Sequence, residues 1–295
     1  MASAPAPASS LAGAEILASV HPKSTSQQIG ILARYQLRNY LRSFRFLILV
    51  GIVAAIGALL TILIAHYRPG ALLDSAVDFY SSTWAGGISI VIILSTVIFG
   101  GDAIAGEFQN KTGYFLMGLP IRRVSVYLGK YIAALLASLA IIAFFAAILI
   151  VNAVYYFGLN AFPWQFGASF VLACVYMLAV LGFTFLLSSL FKTSAYALVL
   201  TAILFLFGFT LLQDVYVGLV NAEPWFIISY AEGVVGAIFS NPYPAHVVQT
   251  RSPFPPHTVM TVYTPTIVEG VGIMVLYVVV TTLAGLFLFQ REEFT

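Results

Sequence analysis

The chain has 295 residues, of which 61% are hydrophobic and only 8% charged, whereas a soluble domain carries about a quarter charged residues. Thirteen Lys/Arg and eleven Asp/Glu leave a net charge of +2, too few ionic groups to coat a water-soluble globule of this size, so most of the outside must face hydrocarbon. That excludes a soluble enzyme and predicts an all-α membrane protein; the single cysteine, Cys174, excludes an intrachain disulfide.

Residues 1–26 begin MASAPAPASS and lack a basic start followed by an apolar core, so they read as a flexible cytosolic tail rather than a cleaved signal. From Gln27 to Arg45 the pattern turns helical: Ala33, Leu37, Leu41, Phe44 and Ile48 fall on one side and Arg34, Arg38, Arg42 and Arg45 on the other. Such an amphipathic helix lies at the membrane surface with its arginines on lipid phosphates, or else extends the first span into the cytosol.

A permease-like domain over residues 27–295 then holds six expected spans: 46–65, 84–101, 131–157, 164–191, 194–213 and 270–290. The first has the roughly twenty apolar residues that cross a hydrocarbon core of about 30 Å. Spans three and four form a hairpin, because no charged residue occurs between Lys130 and Lys192 and the segment Gly158 to Pro163 breaks the run. Six crossings put both termini on one side. Eleven of the thirteen basic residues then fall there and only Arg68 and Arg251 on the other, which makes the terminal side cytosolic and the protein a multi-pass plasma-membrane protein. No acid or base sits mid-span, which disfavours a proton- or ion-coupled carrier.

The connection from Asp102 to Lys130 is amphipathic rather than merely polar. Ile104, Phe108, Phe115 and Leu116 supply apolar surface, Glu107 and Lys111 stand four apart in the favourable order, Pro120 stops the helix, and Arg122, Arg123 and Lys130 anchor the next segment. On physical grounds this is equally a docking site or a basic-anchored interfacial loop. The order Ile104-Ala105-Gly106-Glu107-Phe108, Thr112, Leu119-Pro120-Ile121-Arg122-Arg123 and Leu128-Gly129-Lys130 resembles the cytosolic loop of type-two ATP-binding-cassette (ABC) exporter permeases. Gln109-Asn110-Lys111 departs from that family, which usually has more acid and a glycine there.

The resemblance implies a coupling helix, Ile104 to Tyr114, that docks on a separate ATPase. Ile104, Gly106, Glu107, Phe108, Lys111, Thr112, Pro120 and Arg122 are its ATPase-coupling residues. It further implies a second permease chain, identical or not, two ATPase copies, and a path near the interface of spans two and five. Phe205, Phe207 and Phe209 would line that path, and Gly86, Gly87 and Gly208 would allow close packing. ATP and Mg would reside on the ATPase; no cofactor is expected in this chain, where Gly129-Lys130 is followed by Tyr131 and so does not complete a phosphate-binding loop.

The last long connection, Asp214 to Glu269, holds an apolar stretch, Ile227 to Phe239, too short to cross and interrupted by Glu232. It predicts one or two partly inserted outer helices, followed by a proline-rich stretch that reads as a plain loop. His246 and His257 are eleven apart with no thiol near them, so no metal site is expected. Two other classes stand beside the exporter: a nucleotide-independent channel or carrier, and a non-transporting scaffold or sensor.

Overall fold

The computed structural model describes residues 24–110, 121–251 and 259–291. Six of its helices are long and apolar enough to cross a membrane. Helix α1 (Thr25–Arg42) is followed by α2 (Phe44–Tyr67), the short α3 (Gly70–Leu73), α4 (Ala76–Gly100), the short α5 (Ala105–Gln109), α6 (Arg123–Phe157) and α7 (Trp164–Leu190). The fifth span is α8 (Ser194–Ile203), a π-helical turn (Leu204–Gly208) and α9 (Phe209–Val220). Short helices α10 (Ile228–Glu232) and α11 (Val234–Ala237), a hairpin of β1 (Val247–Arg251) and β2 (Val259–Tyr263), and α12 (Ile267–Arg291) complete the chain.

Local chemistry sets the breaks. Ser43 ends α1 by donating to the Tyr40 carbonyl (2.7 Å) and starts α2 by accepting from the Phe46 amide (3.3 Å), so α1 is a separate helix and not an extension of the first span. Arg68 closes α2 in the left-handed region (φ 41°) ahead of Pro69. Ser75 caps α4 by accepting from the Asp78 amide at 3.1 Å. Gly158, at φ 58°, ends α6, and Pro163 precedes α7.

The second span starts at Ala76, not Trp84. The run Ser81-Ser82-Thr83 looks polar in sequence, yet Thr83 donates to the Phe79 carbonyl (2.7 Å) and Ser81 to that of Asp78 (3.0 Å), so these hydroxyls are satisfied by their own helix. The third span starts at Arg123 and the fifth runs on to Val220. Residues 1–23, most of the expected tail, lie outside the described residues.

Helix α4 is the hub. In its most apolar stretch 72% of residues are buried, against 17% in the fifth span. Phe79, Tyr80, Trp84, Ile88, Ile92 and Phe99 are fully enclosed, and the Trp84 ring stacks on Phe145 of α6 and Phe170 of α7 with centroids 6.0 and 5.8 Å apart. Its indole N–H donates to Ser169 Oγ of α7 (3.0 Å), which in turn donates to the Val235 carbonyl of α11 (2.7 Å). Ser169→Ala would orphan both buried partners at a cost of about 1–3 kcal/mol, read as a lower unfolding temperature in detergent; an unchanged temperature would show that the relay carries no stability.

The outer connection is more than a loop. Helices α10 and α11 are buried through Ile228, Tyr230, Ala231, Val234 and Val235, as expected for inserted helices, and Ser89, midway along α4, donates to the Glu232 carboxylate. A carboxyl thus reaches the second span from outside it. The stretch expected to be plain loop contains an antiparallel hairpin instead, with Val248 opposite Val262 and Gln249 opposite Thr261. Its Val-Val and Val-x-Thr-Val-Tyr runs are β-branched and aromatic, which outweighs the neighbouring prolines.

Helix α1 packs along α6, where Leu32 and Ala33 meet Gly129, while Tyr40 packs on Phe99 of α4. Gly129 makes this approach possible, since a Cβ there would stand 2.7 Å from Leu32 Cβ and 3.3 Å from the Ile29 carbonyl. On the apolar side of the pattern Ala33 is buried and Leu37 half-buried, while Leu41, Phe44 and Ile48 are exposed, together with Ile31 and Tyr35.

Candidate functional site

The connection after α4 folds back on the bundle through backbone groups that the turn leaves without helical partners. Ser188 Oγ of α7 accepts from the amides of Ile104 (3.1 Å) and Ala105 (3.0 Å) and donates to the Gly101 carbonyl (2.9 Å). One buried hydroxyl therefore fixes both sides of the turn that opens α5.

Lys130 of α6 supplies the second attachment. Its ammonium donates to the Ala103 carbonyl at 2.7 Å and to the Glu107 carboxylate, and the side chains are only 9% and 18% exposed. An ion pair so far out of water depends on both partners and on the extra carbonyl contact. A third attachment leads to the fifth span: Gln109 Oε1 accepts from the Ser194 amide (3.0 Å) and hydroxyl (2.6 Å) at the start of α8. Asp102 adds an exposed pair with Arg45 of α2, Oδ2 to Nη1 2.5 Å, the kind of contact worth about 0–1 kcal/mol.

Further bonds gather the other elements at this end of the bundle. The Tyr40 hydroxyl donates to the Phe99 carbonyl (2.9 Å), the Arg122 amide to Gln28 Oε1 (3.4 Å), and Arg123 Nη1 to the Gln290 carbonyl near the end of α12 (2.8 Å). Burial raises the Tyr40 hydroxyl well above its usual pKa, which keeps it a donor.

The expected coupling residues divide into three groups. Ile104 is completely buried, Gly106 is buried with its missing Cβ leaving room for the Asp102 carboxylate, and Glu107 and Phe108 are partly buried. Arg122 is exposed, as are Gln109 and Asn110 at the tip. Lys111, Thr112 and Pro120 lie outside the described residues, and the helix expected over 104–114 is described as Ala105–Gln109. Ser188, Ser194 and the burial of Lys130 were not anticipated. Ser188 is one serine in Leu-Leu-Ser-Ser-Leu, and only a three-dimensional neighbour gives it a task.

The three phenylalanines of the fifth span do not share a face. Phe205 and Phe209 meet Phe183 of α7 edge-on at 5.3 and 5.6 Å, whereas Phe207 is 62% exposed. Phe207 belongs to an exposed apolar row with Val199, Ile203, Leu211, Val215 and Leu219. On α4 the exposed line runs through Asp78, Ser82, Gly86 and Ile90; Gly87 faces Phe145, and Gly208 faces Leu204 of its own helix.

A family model described as ABC-2 family transporter protein matches residues 31–294. No curated protein matches the chain.

Proposed function

The chain belongs to the ABC-2 transporter family and is the permease subunit of an ABC transporter, and from that premise we propose that it is half of an exporter whose separate ATPase docks on the segment around α5. The observation that carries this reading is the set of attachments at α5: Ser188 to span four, Lys130 to span three and Gln109 to span five. A short element bonded to three spans moves them together when it is pushed.

Contact with the ATPase then belongs to the exposed Asn110 and Arg122 and, on the same reading, to Lys111, Thr112 and Pro120, which lie outside the described residues. Ile104, Gly106 and Glu107 serve instead as the root that passes the displacement inward. ATP and Mg2+ bind on two ATPase copies, whose closure drives the spans from inward-open to outward-open. Two permease chains enclose the path, and the exposed lines on α4 and the fifth span supply their contact. The excess of basic residues at the α5 end makes that end, with both termini, cytosolic in the plasma membrane.

The test is cross-linking within the purified complex of permease and ATPase, in a Cys174→Ala background. Asn110→Cys is expected to join the ATPase through a short bifunctional thiol reagent, and Asn160→Cys, exposed in the turn after α6, is not. Capture of the ATPase from position 160 and not from 110 would overturn the assignment.

A further inference from the structure

At the end of the bundle opposite α5, the fold brings together three side chains that the sequence holds far apart. Glu223 lies in the turn after α9, His246 immediately before β1, and Glu269 in the first turn of α12; one ligand atom from each falls within 4.8 Å of the others. Sequence spacing offered His246 only His257 as a companion. We propose that Glu223, His246 and Glu269 form a binding site for a divalent transition-metal cation, with Zn2+ the best chemical match.

The histidine tautomer is the first argument. His246 Nδ1 stands 2.9 Å from the Thr264 carbonyl oxygen, which can only accept, so Nδ1 carries the proton. In the neutral ring the Nε2 lone pair then faces Glu223 Oε2 at 3.2 Å, and two electron-rich atoms at that distance need a cation to share. Charge is the second argument. A single proton neutralises one of the two carboxylates, whereas a divalent ion balances both.

The third argument is orientation, because each ligand is already held by a further contact. Thr264 fixes the imidazole, the Tyr230 hydroxyl donates to Glu223 Oε1 (2.6 Å), and the Thr266 amide donates to Glu269 Oε2 (3.3 Å). Such outer contacts set the direction and basicity of metal ligands. Around tetrahedral zinc, bonds of about 2.0–2.2 Å place ligand atoms about 3.4 Å apart, so this cluster closes on an ion with side-chain adjustments of an ångström or so. One imidazole with two carboxylates favours a borderline ion over Mg2+ or Ca2+, which take oxygen sets. The side chains of His246 and Glu223 are 39% and 28% exposed, which leaves an entry route and a position for water. A bound ion would clamp the end of the fifth span to the start of the sixth and to the hairpin, where Tyr263 already donates to the Asn221 carbonyl at 2.8 Å.

The experiment is calorimetric titration of the full chain in detergent, stripped with EDTA and dialysed, with ZnCl2. Expected are one Zn2+ per chain, a rise in unfolding temperature on binding, and at least tenfold weaker binding in His246→Ala and in Glu269→Gln, while His66→Ala binds as the parent does. Zinc-edge absorption of the loaded protein is expected to show a nitrogen and oxygen shell. Should His246→Ala not fold, the near-isosteric Glu269→Gln decides alone. Absence of zinc uptake, uptake undiminished in Glu269→Gln, or Mg2+ binding as tight as Zn2+ would each overturn the proposal.

Discussion

Lys130→Met is expected to unfold at markedly lower temperature than the parent and, on the coupling proposed above, to lose ATP-driven transport in vesicles holding the permease and an ATPase partner. The substitution removes the ammonium that bonds both the Ala103 carbonyl and the Glu107 carboxylate, so the partly buried Glu107 loses its bond to Lys130. Breaking one side of a buried ion pair costs about 3–5 kcal/mol, a large part of the 5–15 kcal/mol that stabilises a typical domain. The double variant Glu107→Gln/Lys130→Met is expected to recover part of the stability, because the carboxylate that Lys130 balanced is gone, yet not the transport, because the α5 bond to α6 is still missing. A Lys130→Met protein as heat-stable as the parent would show that the pair bears no load. A heat-stable double variant that transports normally would show that the attachment of α5 to span three does not carry the motion.

The second large effect is steric. Helices α7 and α12 cross at two glycines. A Cβ on Gly285 would lie 3.2 Å from Leu186 Cα and 2.5 Å from the Tyr127 hydroxyl, and one on Gly182 would lie 2.6 Å from Thr281 Oγ1. Tyr127 can rotate, but Leu186 offers backbone, so Gly285→Val must push the two helices apart. Overpacking costs about 1–3 kcal/mol and more where backbone must move, and small residues are what allow close approach between membrane helices. Gly272, on the same helix, has open space where its Cβ would be. Gly272→Val is therefore expected to express and melt like the parent, while Gly285→Val loses monodisperse protein on size-exclusion chromatography. Equal behaviour of the two variants would remove the crossing from the account.

The spans were legible because they depend on one property, the lack of charge over helix-length runs, which the stretch from Lys130 to Lys192 displays without ambiguity. Their ends were less so. Thr83 resembles a loop residue until its hydroxyl is seen to bond Phe79, and Lys130 resembles an aqueous anchor until Glu107 is placed beside it. The loop of α5 was identifiable from its motif, but a motif does not separate root from tip: Ile104 and Gly106 face inward, and Asn110 outward. Glu223, His246 and Glu269 carry no spacing signal, since their meeting depends on how α9, the hairpin and α12 end beside one another. Nor does an all-apolar helix record where its winding changes, so the turn at Leu204–Gly208 left no trace in the pattern.

That π-helical turn settles the geometry of the row it interrupts. From Val199 to Leu219 every fourth position carries an exposed apolar side chain, and in a regular α-helix each such step runs about 40° past a full rotation. Over five steps the line would wander roughly 200° around the cylinder. The one surplus residue in the π turn takes back about 100°, correcting the phase as a leap day corrects a calendar. The row therefore keeps to about a quarter of the circumference for the height of the bilayer, and a rod-like neighbour can lie along it without having to coil.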